Sequence, residues 1–190
     1  MTQAVSQRTY SYAEYLAIEA STELKHEWLA GRVYSMSGGS PEHSAIAANL
    51  IRILGNQLLD KQCRVYTSAL RVRVTATGLA THPDVAVVCG PLERDQEDPN
   101  AAVNPVVVVE VLSPSTESYD REEKFSHFRR VSSLRAYILV SQQERRIEVF
   151  ARNDDLSWTL RETRAGLARV ECIDCELSVE DIYRNPFDEQ

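Results

Sequence analysis

A single glutamate inside a run of valines constrains this chain more than any other feature. Val106 to Leu112 is apolar at every position except Glu110. A strand with one wet face would alternate polar and apolar residues, so this continuous run reads as a strand buried on both faces. A carboxylate held there loses its water. Left charged and without a partner it would cost several kcal/mol, a large part of a domain's whole stability. The fold must therefore bring it a cation, from a side chain or from a metal ion.

A second acid stands at the mouth of another short apolar strand. Asp84 precedes Val85 to Cys89 and follows Pro83, whose missing N–H suits the first residue of a strand. Two carboxylates on neighbouring strands can share a hard divalent ion, because magnesium takes oxygen ligands and keeps several waters, one of which can attack a phosphodiester. Lys124 comes four residues after Asp120 in the next helix, so the two share a helical face, with Phe125 and Phe128 anchoring the adjacent face. An ammonium group held there suits orienting an attacking water or stabilising a developing phosphorane. The residue pattern leaves a second reading open, in which Glu110 forms a structural salt bridge with Lys124 or an arginine and Asp84 caps a turn.

Around these residues the pattern alternates between helical and extended periods. Ser11 and Glu14 have capping-box spacing and open a helix through about Ala20. Leu24 to Ser37 reads as a hairpin turning near Ala30-Gly31. Ser40-Pro41 starts a helix whose stripe is Ile46, Leu50, Ile53, Leu54 and Leu58; His43, in its first turn, is expected to face solvent. From Cys63 the period becomes two, with Val65, then Leu70, Val72 and Val74 alternating with Arg71 and Arg73, which are expected to be solvated strand arginines. Gly90 to Pro105 is a polar loop. Ser113-Pro-Ser-Thr is a turn, its serines lacking the partners of a nucleophile elbow, and a helix follows through roughly Val131. Ala136 to Val140, Ile147 to Ala151, Trp158 to Glu162 and Val170 to Ile173 are further strands, and Ser178 caps a last helical turn. This order predicts an α/β (α+β) fold with a mixed β-sheet flanked by helices. At 190 residues it is expected to be one domain over 1–190, with a core at about 10–151 and C-terminal strands and a short helix in 152–190.

Charges at Arg8, Glu14, Glu19, Glu23 and Lys25 break up the first thirty residues, which argues against a signal peptide or membrane span and for a cytoplasmic protein. Cys63, Cys89, Cys172 and Cys175 lack the spacing of a zinc site and are expected to be ordinary reduced thiols. The formal charge of −7 opposes tight nonspecific binding to a polyanion, which rests on basic groups releasing counterions. A metal adds positive charge at the site itself.

The runs His82-Pro-Asp84-Val-Ala-Val-Val and Val106-Val-Val-Val-Glu110-Val-Leu-Ser-Pro-Ser-Thr116, then Asp120 with Lys124, and Ala136-Tyr-Ile-Leu-Val, resemble the Uma-two-type endonuclease family. Lys25-His-Glu27-Trp-Leu-Ala-Gly31-Arg-Val is similar to that family's N-terminal hairpin, so the resemblance runs from roughly Tyr10 to Ala151. It implies the PD-(D/E)XK nuclease superfamily, with a restriction-endonuclease-like core and a magnesium or manganese ion on Asp84 and Glu110. It also implies a further ligand from the Val111 carbonyl and an additional acidic residue, Glu27, near the metal; Glu27 as a solvent-facing strand residue stays equally open. The chain departs from the superfamily in carrying Leu112 where a lysine usually stands, and Lys124 compensates from the following helix.

Three functions are consistent with these residues. The first is a metal-dependent DNA endonuclease using Asp84, Glu110 and Lys124, for which a homodimer would place two sites on a duplex. The second is a noncatalytic nucleic-acid-binding or protein-interaction module on a nuclease fold, since fold alone does not establish activity. The third is a hydrolase of small phosphodiesters or nucleotides. No base-reading helix or finger is apparent, so the sequence names no target site.

Overall fold

The computed structural model describes residues 8–36 and 38–185. The chain opens with α1 (Tyr12–Ser21), the hairpin β1 (His26–Leu29) and β2 (Arg32–Ser35), and α2 (Pro41–Gln57). Five strands follow, β3 (Cys63–Thr67), β4 (Arg71–Val74), β5 (Leu79–Thr81), β6 (Val85–Cys89) and β7 (Ala101–Ala102), and then β8 (Val107–Leu112). After β8 come α3 (Glu117–Tyr119), a π-helical turn (Asp120–Lys124) and α4 (Phe125–Phe128). The remainder is β9 (Ala136–Ser141), β10 (Ile147–Arg152), β11 (Trp158–Thr163), β12 (Leu167–Val170), β13 (Cys175–Ser178) and α5 (Val179–Ile182).

The expected start signals form these elements. Ser11 and Glu14 complete a reciprocal capping box on α1, and the Ser40 side chain accepts the His43 N–H with Pro41 at the first turn of α2. In the hairpin Ala30 and Gly31 have φ of 48° and 88°, the left-handed pair that a two-residue turn requires. Ser37, the last residue assigned to that hairpin from sequence, lies outside the described residues. Ser178 caps α5 through the Asp181 N–H.

The central sheet has the order β11-β10-β9-β8-β6-β3. Within it β8 and β9 are parallel and the other neighbours antiparallel. A parallel pair needs a crossover, and α3, the π turn and α4 supply it. One face of the sheet, with Val107, Val109 and Val111 of β8, packs on Leu50 and Leu54 of α2 and on Leu177 and Ile182 of the C-terminal segment. The other face, with Val108 and Leu112, meets Phe125 and Phe128. Every residue of β8 is buried, as the valine run predicts.

The fold is mixed α+β with helices on the sheets, as expected, but not with one sheet. The hairpin joins β5, β4 and β7 in a second sheet of order β2-β1-β5-β4-β7, and Val72, Val74 and Leu79 of that sheet close the second core. The helix expected to run to Val131 instead breaks into three short pieces ending at Phe128. The strand expected over Val170 to Ile173 stops at Val170, because Glu171–Ile173 coils into a 3-10 turn and Asp174, at φ 49°, reverses the chain into β13.

Two further expectations are corrected. Cys63 and Cys89 are not free thiols: they are directly opposed in the β3–β6 register and joined as a disulfide. Cys172 is an exposed free thiol and Cys175 a buried one, whose burial pushes its pKa above the ordinary value, away from thiolate chemistry. Arg71 and Arg73 are not solvated, because α1 covers their face of the second sheet. Arg71 pairs with Asp98 and, at 3.1 Å, with Glu19. Arg73 lies 3.9 Å from the Tyr12 ring centroid and 4.8 Å from that of Trp28. Among the described residues, no helix is long and apolar enough to cross a membrane.

Candidate functional site

The β6–β8 register sets Val85 opposite Val109, so one step further along the pair Asp84 stands across from Glu110. Strand alternation puts Glu110 on the face of Val108 and Leu112, the face covered by Phe125 and Phe128. Phe125 follows Lys124 directly, so docking this aromatic anchor carries the lysine onto the glutamate. Lys124 Nζ lies 2.8 Å from Glu110 Oε1 and 3.5 Å from Asp120 Oδ1. Glu110 is 4% exposed and Lys124 3%. Asp120 and Lys124 are the two ends of the π-helical turn, a conformation that is rare in general and concentrated at functional sites.

Asp84 is held by the neighbouring strand. Its Oδ2 accepts the Val111 N–H at 2.7 Å, and His43 Nε2 lies 3.1 Å from the same oxygen. No protein donor reaches Asp84 Oδ1 among the described residues. His43 thus points into the cleft and not to solvent as the sequence suggested; the turn geometry at Ser40-Pro41 aims it there. Hydrogen bonding to Asp84 raises its basicity above that of a free imidazole, against the effect of burial.

Glu27 is 6% exposed and accepts a hydrogen bond from the Tyr119 hydroxyl, so it is not a solvent-facing strand residue. His43, Asp84, Glu110, Asp120, Lys124 and Glu27 all line one cavity of about 750 Å³. The three acids named from sequence and their lysine are therefore brought together. His43, Asp120 and Tyr119 join them; the spacing of Asp120 to Lys124 was visible, whereas a lone histidine or tyrosine carries no signal without neighbours. Ser113 hydrogen-bonds Ser115 and Thr116 and serves the turn.

The electrostatics leave a demand for positive charge. Burial, with Asp120 and Asp84 nearby, pushes the Glu110 carboxyl well above its ordinary range despite Lys124. Burial also works against the charged form of Lys124, but Glu110, Asp120 and Glu27 outweigh it and hold the ammonium charged. One ammonium thus faces several carboxylates. Although it is within ion-pair distance, Glu110 Oε1 receives no well-directed hydrogen bond.

These residues fit a divalent ion of the magnesium type. Among the described residues no three His, Cys, Asp or Glu side chains form a metal cage by themselves. Magnesium seldom asks for one, since it is held by one or two carboxylates and keeps several waters. Asp84 Oδ1 and the poorly directed Glu110 oxygen offer that pair.

Comparison with known proteins gives a consistent picture. The Uma2 family model, described as "Putative restriction endonuclease", matches residues 12–180. The chain is 37% identical over 172 residues to the uncharacterized protein slr1290 of Synechocystis sp., covering 90% of each. It is 30% identical over 159 residues to sll1609 of the same organism, covering 84% of this chain and 90% of that protein. The fold matches the crystal structure of a "putative nuclease belonging to DUF820" from Anabaena variabilis with a TM-score of 0.70 at 18% identity, covering 85% of this chain and 91% of that one.

Proposed function

The chain belongs to the Uma2 family, and from that membership and the grouping of Asp84, Glu110 and Lys124 we propose that it is a divalent-metal-dependent endonuclease that hydrolyses phosphodiester bonds in DNA. The observation that carries the reading is the convergence, in one cavity, of two strand-borne carboxylates with an ammonium 2.8 Å from one of them. Asp84 and Glu110 would hold the ion. Bound there, magnesium or manganese supplies Lewis acidity and an activated water.

The chain's own groups do the rest. Val111 N–H fixes the Asp84 carboxylate in one rotamer, which leaves Oδ1 for the ion. Asp120 holds Lys124 from the far side, so the ammonium keeps its proton and offers positive charge where an attacked phosphate becomes more negative. Glu27, held by Tyr119, adds negative charge on the lysine's other flank.

Purified Glu110→Gln, assayed with duplex, single-stranded and nucleotide substrates in magnesium or manganese, is expected to lose DNA cleavage by about a hundredfold or more. It should keep its fold, because Lys124 retains Asp120. Undiminished cleavage would remove Glu110 from the mechanism. The charge of −7 and Leu112 in place of the superfamily's lysine favour one second reading, a noncatalytic nucleic-acid-binding module. DNA binding without any divalent-ion binding would select it.

A further inference from the structure

Among the described residues the cavity takes basic side chains from Lys25, His43, His82 and Lys124, against the acids Glu23, Glu27, Asp84, Glu110 and Asp120. Three of the four bases face a carboxylate: His43 faces Asp84, His82 faces Glu19 and Lys124 faces Glu110. Lys25 is the exception. Its ammonium donates to the Ser68 hydroxyl at 2.9 Å and forms no ion pair among the described residues, in a chain of net charge −7. An ammonium has three N–H donors, so two are left for a ligand in the cavity.

Glu19 holds this contact from both ends. One of its oxygens accepts the main-chain N–H of His26, the residue after Lys25, at 2.8 Å. The other lies 3.2 Å from His82 Nε2, and His82 Nδ1 lies 3.2 Å from the Ser68 carbonyl oxygen. The Lys25 carbonyl also accepts the Met36 N–H at 2.9 Å, which ties it to the end of the hairpin. His82 stands two residues before Asp84, so at most about 7 Å of chain links the lysine's anchor to a carboxylate of the proposed metal site.

A cation held in place, left without a carboxylate and set on the wall of an acid-lined cavity suits an anion that the substrate brings. We infer that Lys25 binds a phosphate of the DNA strand other than the one attacked, and that Ser68, with His82 and Glu19 behind it, positions the ammonium for that contact. Lys124 is 3% exposed and lies between Glu110 and Asp120, so its charge is confined to the reacting centre. Lys25 is half-buried at the wall and open to a strand lying along it. Phosphate contacts of this kind fix a strand's register and carry no sequence information. The inference rests on the nuclease reading above and adds to it a substrate-binding residue.

Steady-state cleavage of a DNA oligonucleotide in magnesium or manganese tests it, together with fluorescence anisotropy of the same oligonucleotide on the Glu110→Gln background between about 50 and 200 mM salt. Lys25→Met should raise KM about tenfold with kcat held within about threefold. It should also lower the slope of log affinity against log salt by about one. Lys25→Arg should restore both. Ser68→Ala keeps the charge but loses its anchor, so KM should rise about threefold at an unchanged salt slope. Circular dichroism checks the fold, and Lys25→Gln replaces the methionine variant if that one is unstable. If the wild type cleaves DNA and Lys25→Met matches it in KM and salt slope, the inference is overturned and the nuclease reading stands. If the wild type binds DNA without cleaving it, the nuclease reading falls and the salt slope alone decides the role of Lys25. If it neither binds nor cleaves, both fall.

Discussion

Lys124 Nζ sits 2.8 Å from Glu110 Oε1 with both side chains almost sealed from water. Removing one partner of such a pair exposes the other to the full cost of burial. Lys124→Met is therefore expected to lose about 3–5 kcal/mol of stability, measured by urea denaturation. Glu110→Gln should cost less, because the lysine keeps Asp120. The double variant should recover part of the loss; strictly additive effects would show that the two residues are not coupled.

Gly39 bears on the same site through a contact. Its missing Cβ leaves room for the His43 ring, so Gly39→Ala should displace His43 from Asp84 and lower the raised pKa of the imidazole, followed by NMR titration. Thermal stability should change little, since Gly39 precedes the helix. An unchanged imidazole titration in this variant would show that the ring tolerates the intrusion.

Glu19 gives the fold an acid-sensitive joint. Burial alone would push its carboxyl up, but hydrogen bonds from His82, His26 and Arg71 bring it down from 4.5 to about 2. A depressed folded-state value means that stability is complete above pH 4.5 and lost as pH falls toward about 2. The contribution is on the order of 3 kcal/mol. Glu19→Gln should lower stability at neutral pH and flatten the acid limb between these values, as followed by denaturation at a series of pH values.

Arg73 is an anchor for α1. Its guanidinium lies over Tyr12 and Trp28 and donates to the Gly78 carbonyl at 2.7 Å. Arg73→Met keeps the stem but loses the charge and the donor, and should cost about 2 kcal/mol without changing affinity for DNA. A selective loss of DNA binding with stability intact would show instead that this residue contacts phosphate.

The disulfide predicts a redox effect on stability. Cys63 and Cys89 are 26 residues apart, and opening a loop of that size in the unfolded chain corresponds to about 3 kcal/mol. Reduction, or the Cys63→Ser/Cys89→Ser double variant, should lower the melting temperature measurably. Identical melting with and without reductant would show that the bridge adds nothing.

How far the sequence reveals this molecule depends on whether a residue's meaning is local. Glu110 stands out because valines surround it in the chain itself, and the same valines guarantee its burial. Capping residues are equally local, so Ser11, Ser40 and Ser178 mark their helices correctly. Arg71 and Arg73 fail for the opposite reason: alternation tells which face they share but not that α1 covers it. His43 is misread in the same way, because its partner Asp84 is distant in sequence. The opposition of Cys63 and Cys89 depends on strand register, which neither spacing nor composition encodes. The π turn at Asp120–Lys124 is also silent, since its residues would suit an ordinary helix.

The central claim is that Asp84 and Glu110 grip one ion beside Lys124. Anomalous diffraction from a manganese-soaked crystal measures this most directly. The account predicts one strong peak about 2.0–2.3 Å from an oxygen of each carboxylate, with the lysine ammonium adjacent. Manganese bound elsewhere while these two carboxylates remain metal-free, or a crystal that takes up none, would contradict it.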